Sequence, residues 1–311
     1  ELLTLGHAFA GHSDTEVLLA AIVQWGLEAA LQRCNGMFAL ALWDSQQQRL
    51  ALARDRVGKK PLYYGWAGST LVFASELKAL WHHPGFDNPV NPDALALLLQ
   101  LDYIPAPHSI HRHCWKLMPG HILWLEAAEV IAGPTGHQPA DCQQPFWSAL
   151  QSMQAALAEP FVGTTEQAVD AVESLLTDAV NLRSVADVPV GVFLSGGTDS
   201  ALVAALMQAR KQGPVNSFSI GFRDRRLDEA PLAKAVASHL GLQHTELYVD
   251  DRDALNLVPH LPNLYDEPFA DSSAIAVHVL CKYVKPHVTV ALSGDARSMR
   301  MISPVGVTML H

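Results

Sequence analysis

The spacing of apolar residues changes character along the chain. Within residues 15–25, Leu18, Leu19, Ile22 and Val23 recur at helical spacing and predict a helix. Short apolar or alternating runs follow at 37–43, 49–53, 62–66 and 71–74, separated by Asp44-Ser45, Gly58 and Gly68-Ser69. Runs of that length between turn residues read as strands joined by hairpin loops. Residues 1–80 therefore predict a small antiparallel β-rich unit with one helix. Residues 84–147 are richer in Pro and His and less regular, and the stretch from Gly133-Pro134-Thr135-Gly136 to Pro145 reads as a linker.

Beyond it the period is helical again. Thr164 with Gln167 three residues later is a capping-box signal. Ala168, Val169, Val172, Leu175, Leu176, Ala179 and Val180 form the stripe of the long helix it opens. Strands and helices then alternate: strand 190–194, helix 199–211, strand 215–222, helix 228–240 closed by Gly241, strand 244–249, helix 272–284 and strand 288–292. Such alternation predicts a parallel sheet covered on both faces. No internal repeat or low-complexity tract interrupts it.

Composition narrows the class. The 311 residues are a prior for about two domains, and 49% of them are hydrophobic, enough for packed cores. A formal net charge of −10 without a basic run disfavours a nucleic-acid surface. No apolar stretch of about 18 residues predicts a membrane span. Cys34, Cys114, Cys142 and Cys281 are scattered, with no Cys-x-x-Cys pair, so neither a disulfide framework nor a zinc site is expected and the default for each is a buried structural thiol. Glu1 opens no charged-then-apolar leader; a cytoplasmic location is the expectation.

The sharpest chemistry lies at Ser195-Gly196-Gly197-Thr198-Asp199-Ser200, between a predicted strand and a predicted helix. Glycines let a backbone approach phosphate oxygens, and unpaired N–H groups at a helix start favour an anion. Ser195 and Ser200 add hydroxyl donors. Asp199 would repel a phosphate unless a cation lies between them, so it implies Mg²⁺. A turn in which Thr198 or Asp199 caps the helix is the plainer alternative. The pattern Gly-x-x-x-x-Gly-Lys-Ser/Thr is absent. The loop resembles the pyrophosphate loop of enzymes that split ATP into AMP and pyrophosphate, among them asparagine, GMP, NAD and argininosuccinate synthetases. Adenylation turns an unreactive carboxylate into a mixed anhydride that ammonia can attack.

Other motifs narrow the resemblance. Asn35-Gly36-Met37-Phe38-Ala39, Arg54-Asp55-Arg56-Val57-Gly58-Lys59-Lys60-Pro61-Leu62-Tyr63-Tyr64, Ala74-Ser75-Glu76-Leu77-Lys78-Ala79-Leu80, Tyr103-Ile104-Pro105-Ala106-Pro107 and Tyr265-Asp266-Glu267-Pro268-Phe269-Ala270-Asp271-Ser272-Ser273 occur in order. Together they resemble glutamine-hydrolysing asparagine synthetases, from about Gly11 to Asp295. The resemblance implies an α/β protein: an α+β, four-layer N-terminal-nucleophile hydrolase domain of the class II glutamine amidotransferase type over 1–147, then a doubly wound parallel-sheet ATP-pyrophosphatase domain over 164–311. It implies asparagine formation from aspartate, glutamine and ATP through a β-aspartyl-AMP intermediate, with Mg²⁺. An amidotransferase acting on a larger carboxylate, or a remnant that at most binds nucleotide, are the alternatives.

Site residues follow from the same resemblance. Asp14 would hold the glutamine α-ammonium, although Ser13 with Glu16 also reads as a capping box there. Leu194 and Ile220 would line the adenine pocket, with sheet core as the other reading of both. Ser293 and Gly294 would make a second ATP contact, and Asp295 would serve formation of the acyl-adenylate. Asp228, Glu229, Asp266, Glu267 and Asp271 are weaker candidates, equally readable as caps or solvated carboxylates. His108, His111, His113 and Cys114 have metal-ligand types, but the resembling family holds no metal at that stretch.

Two departures shape the expectation. The family's glutaminase uses an N-terminal cysteine, where this sequence has Glu1, and none of its cysteines is terminal. After Asp295 the family continues with a Gly- and acid-rich segment carrying a second metal-binding aspartate, where this sequence reads Ala296-Arg297-Ser298-Met299-Arg300 onward. Back-translated with one choice of synonymous codons and shifted in frame, 300–308 can yield a segment resembling the missing one, so a frameshift is one expectation for this end. The expectation is thus of a fragment incomplete at both ends, with both activities impaired.

Overall fold

The computed structural model describes residues 1–87, 89–133, 142–223, 226, 228–271, 273–294 and 306–309. The chain divides into two compact units. Unit 1 comprises Glu1–Ala158 with Asp266–Phe269, and unit 2 comprises Glu159–Tyr265 with Ala270–His311.

Unit 1 contains α1 (Asp14–Trp25), α2 (Leu27–Arg33), β1 (Ala39–Asp44), β2 (Arg49–Arg54), β3 (Tyr63–Ala67), β4 (Thr70–Ala74), α3 (Leu77–Trp81), α4 (Pro92–Leu101), β5 (Cys114–Lys116), β6 (His121–Glu126), α5 (Ala127–Ala132), β7 (Gln143–Pro145) and α6 (Ala149–Ala158). The strands form two antiparallel sheets, β1-β2-β6-β7 and β4-β3-β5. Alternation along the strands sorts their side chains into layers. Ala51, Ala53 and Ile122 face Leu27 and Leu31 of α2 and Leu18 and Ile22 of α1. Leu52, Leu123 and Leu125 point the other way, onto Tyr64, Leu62 and Leu117 at the second sheet. Tyr63 and Cys114, on the far side of that sheet, pack on Leu77 and Leu80 of α3. The result is the expected four-layer helix–sheet–sheet–helix order.

The middle of unit 1 is more regular than expected. The stretch read as irregular holds α4 and the inner strand β6, and Gln143–Pro145, assigned to a linker, is strand β7 on the edge of the first sheet. Strand β6 lies between two packed layers, so its run Ile-Leu-Trp-Leu shows no clean alternation. Helix α4 did carry a signal: Asn91 accepts from the Asp93 N–H and Pro92 sits in the first turn. The expected linker residues 134–141 lie outside the described residues.

Unit 2 contains α7 (Thr165–Ser184), β8 (Val190–Phe193), α8 (Thr198–Gln208), β9 (Asn216–Phe222), α9 (Ala230–Leu240), β10 (Gln243–Val249), α10 (Asp251–Leu257), α11 (Leu261–Leu264), α12 (Ser273–Val284), β11 (Val290–Ser293) and β12 (Gly306–Met309). The sheet order is β10-β9-β8-β11-β12; the first four strands are parallel, and β12 is antiparallel to β11. Val192, Leu194 and Leu292 face α7, α8 and α9 through Val180, Val203, Ala204, Met207, Ala233 and Ala237. Phe193, Phe218 and Ile220 face Leu280 and Val284 of α12. Helices on both faces make this the expected doubly wound sheet.

The caps of unit 2 match their sequence signals. Thr164 and Gln167 close a reciprocal capping box on α7, and Gly241 ends α9 at φ 69°. The α7 stripe behaves differently: Val180 is buried, whereas Val169, Val172 and Leu175 are exposed. Only the C-terminal part of that helix reaches the unit 2 core.

Candidate functional site

Strand order determines where a ligand would lie. From β8 the chain steps to β9 and β10 on one side, then returns to β11 on the other. In open parallel sheets the crevice beyond the strand C-termini opens at such a reversal. The Ser195–Ser200 loop leaves β8 there and Ser293-Gly294 leaves β11 beside it.

The loop is held by its own serines. The Ser195 N–H donates to Ser200 Oγ (3.2 Å), the two hydroxyls lie 3.1 Å apart, Ser200 Oγ donates to the Gly197 carbonyl (3.1 Å), and the Gly197 N–H approaches Ser195 Oγ at 3.4 Å. Ser200 is buried, while Ser195, Gly197, Thr198 and Asp199 are exposed. Ser200 is thus an internal brace, and Ser195 is the exposed member of the pair. Gly197 caps α8 with no side-chain bond of its own. The first N–H groups of a helix have no intrahelical acceptor, so the exposed turn at Thr198 and Asp199 aims donors at solvent.

Two glycines are dictated by close approach. Gly196 has φ +80°, and a Cβ on it would come within 2.7 Å of Leu232 Cβ and 3.0 Å of the Ala233 nitrogen. The loop therefore rests on the start of α9. Gly294 is tighter: a Cβ there would lie 2.5 Å from the Ser200 nitrogen and 2.6 Å from the Asp199 carbonyl carbon. The β11 exit is thereby pressed onto the first turn of α8. Leu194 is buried in the unit 2 core and Ile220 is half-buried against Phe218. The structure thus brings together Leu194, Ser195, Gly196, Gly197, Thr198, Asp199, Ser200, Ile220, Ser293 and Gly294 at the C-terminal edge of one sheet. Asp295 lies outside the described residues.

The remaining candidates have local roles. Asp228 Oδ1 accepts from the N–H groups of Phe222 (3.3 Å) and Ala230 (3.2 Å), and Asp271 Oδ1 accepts from the Ser273 N–H (2.8 Å) at the start of α12. Glu229 is exposed ahead of α9. Asp14 is the first residue of α1, exposed, and meets the Thr15 hydroxyl at 3.4 Å. The capping box read at this helix does not close: Ser13 accepts from the Thr15 N–H, and Glu16 reaches back to the N–H groups of Ala10 and Gly11 instead.

Among the described residues no group of three or more His, Cys, Asp or Glu is arranged to hold a metal. His111 packs edge-on against Trp81 and Phe86, and Cys114 is buried in β5. Burial pushes the Cys281 thiol up to about 11, so it is a packing group rather than a nucleophile. The Arg54-Asp55 motif has a structural role that its sequence did not disclose. The Arg54 guanidinium donates to the carbonyls of Gly58, Lys60 and Leu117, and the buried Asp55 carboxylate accepts from the N–H groups of Lys59 and Lys60.

The chain thus combines a two-sheet antiparallel unit with a doubly wound unit that carries a phosphate-type loop. Residues 1–135 match the glutamine amidotransferase domain family, and residues 171–296 match the asparagine synthase family. Over those two regions the chain is similar to glutamine-hydrolysing asparagine synthetases. It is 32% identical over 296 residues to asparagine synthetase [glutamine-hydrolyzing] 1 of Bacillus subtilis, covering 95% of this chain and 44% of that protein. It is 32% identical over 286 residues to the putative asparagine synthetase [glutamine-hydrolyzing] 2 of Methanocaldococcus jannaschii, covering 91% and 52%. It is also 30% identical over 262 residues to the amidase chyE of Penicillium rubens, covering 79% and 36%. The chain spans about half the length of the curated relatives it matches. No helix among the described residues is long and apolar enough to cross a membrane.

Proposed function

We propose that this protein serves asparagine biosynthesis as an ATP-dependent ligase: it adenylates the aspartate β-carboxylate and passes ammonia derived from glutamine onto the β-aspartyl-AMP, releasing AMP and pyrophosphate. The observation that carries this reading is the convergence of the Ser195–Ser200 loop and Ser293-Gly294 at the strand-order reversal, supported by the family of both regions. In it, residues 1–147 are the glutamine amidotransferase domain and 164–311 the ATP-binding domain, acting on small molecules in the cytoplasm.

The chain's own groups then divide the work. The N–H groups of the first α8 turn and the Ser195 hydroxyl bind phosphate oxygens. Ser200 keeps the loop in shape, and Ser293-Gly294 hold its far side. Leu194 and Ile220 border the adenine. Asp295 serves formation of the intermediate, and Asp14 binds the glutamine ammonium. Asp199 is a fitting holder for Mg²⁺, because that ion is commonly bound through one or two carboxylates together with substrate phosphates. When bound, Mg²⁺ neutralises phosphate charge.

The test is release of AMP and pyrophosphate from ATP with an ammonium salt, with and without aspartate. Aspartate-dependent release together with asparagine formation, at a low level, is expected. ATP cleavage that ignores aspartate and responds to a sugar acid would replace the substrate assignment. Nucleotide binding without any cleavage would favour a nucleotide-binding remnant.

A further inference from the structure

Of the motifs outside the nucleotide loop, 74–80, 103–107 and the Asp266–Phe269 part of 265–273 all lie in unit 1. The Asp266 carboxylate accepts from the N–H groups of Leu77 (2.9 Å) and Lys78 (3.4 Å), with Lys78 Nζ at 3.8 Å. Glu267 Oε1 accepts from the Ile110 N–H at 2.7 Å, and its Oε2 pairs with Lys116 Nζ. The same ammonium donates to the Ile104 carbonyl at 2.7 Å. Both members of the Lys116–Glu267 pair are largely buried, with 15% and 9% of their side chains exposed.

Such a site selects its occupant. A buried ammonium left with one neutral acceptor is costly, and so is a buried N–H without a partner. An apolar or amide side chain in place of Glu267 would leave Lys116 without its counter-charge. We infer that Asp266–Phe269 is an acidic strap, and that Leu77, Lys78, Ile110 and Lys116 form the receptor through which unit 1 is completed by a distant part of its own sequence. The strap explains why Asp and Glu stand side by side at 266–267, a role distinct from nucleotide binding.

Backbone hydrogen exchange on the full chain tests this. In Glu267→Ala the Ile110 amide is expected to exchange on the order of tenfold faster or more, as befits a lost bond to a charged acceptor. In Asp266→Ala the Leu77 and Lys78 amides respond instead. The Leu52 and Leu123 amides of the sheet core keep their protection in both. Unchanged exchange at Ile110 in folded Glu267→Ala overturns the inference. Should that variant not fold, Glu267→Gln carries the test, since it keeps an acceptor for Ile110 but removes the charge. Lys116 should then acetylate faster than in the parent chain; equal reactivity overturns the strap.

Discussion

Gly294 lies so close to Ser200 that a single added Cβ would come within 2.5 Å of the Ser200 nitrogen. This contact joins the end of β11 to the first turn of α8. It makes the loop after β8 and the exit of β11 one surface. Gly294→Ala should force the backbone apart, with an overpacking cost of about 1–3 kcal/mol. Calorimetric titration with a non-hydrolysable ATP analogue should show affinity lowered by on the order of tenfold or more for a loop displaced from its anion-binding geometry. Unaltered affinity would remove Gly294 from the proposed site.

Asp199 is exposed at the second position of α8, and the serine hydrogen bonds that shape the loop do not involve its carboxylate. Asp199→Asn should therefore leave the thermal midpoint nearly unchanged, as exposed substitutions usually do. Turnover of Mg²⁺-ATP should fall about 10²-fold, the scale of a lost electrostatic contact in an active site. A large stability loss with normal turnover would make Asp199 a structural residue.

Arg54 places one guanidinium across three carbonyls, at 2.7 Å from Gly58 and Lys60 and 2.8 Å from Leu117. A lysine offers a point charge that cannot span them. Arg54→Lys should destabilise unit 1 by about 2–4 kcal/mol, since several charged hydrogen bonds are lost in a mostly buried setting. Urea unfolding read by tryptophan fluorescence measures this. A cost below about 0.5 kcal/mol, the range of ordinary surface changes, would contradict it.

His244 links β10 to β9 beneath α9: Ser217 Oγ lies 2.9 Å from its Nδ1 and Ser219 Oγ 3.2 Å from its Nε2. Burial holds its pKa below 6.5; Glu246 works against this and Lys234 with it. The unfolded chain therefore binds the proton more readily. The contribution of His244 to stability is fully present above about pH 6.5 and is lost as pH falls through that value toward the folded pKa. Unfolding measured from pH 8 to 5 should show a gap between the parent chain and His244→Gln that narrows on the acid side. A gap independent of pH would show that the imidazole does not titrate in this window.

Much of unit 2 was legible because its signals are local. Thr164 with Gln167, Gly241 after α9 and the Gly-rich loop after β8 each act within a few residues. Unit 1 was less legible where a strand is covered on both faces, as at β6, because burial on two sides erases alternation. Helix α4 shows the opposite case: Asn91 and Pro92 were sufficient cap signals hidden in a Pro-rich stretch. At α7, periodicity marked an apolar stripe but could not show that Val169, Val172 and Leu175 would be exposed. Periodicity records which residues share a face, not what covers it.

The sequence by itself determined the two-part α/β plan, the loop at Ser195–Ser200 and the family resemblance, since these rest on short-range geometry and motif order. Only the tertiary structure decided that Gly294 presses on Ser200, that Gly196 rests on α9, and that Glu267 reaches Ile110 and Lys116. Those relations join residues far apart in the chain. They depend on strand order, register and the need to pair buried charge, none of which a local pattern records.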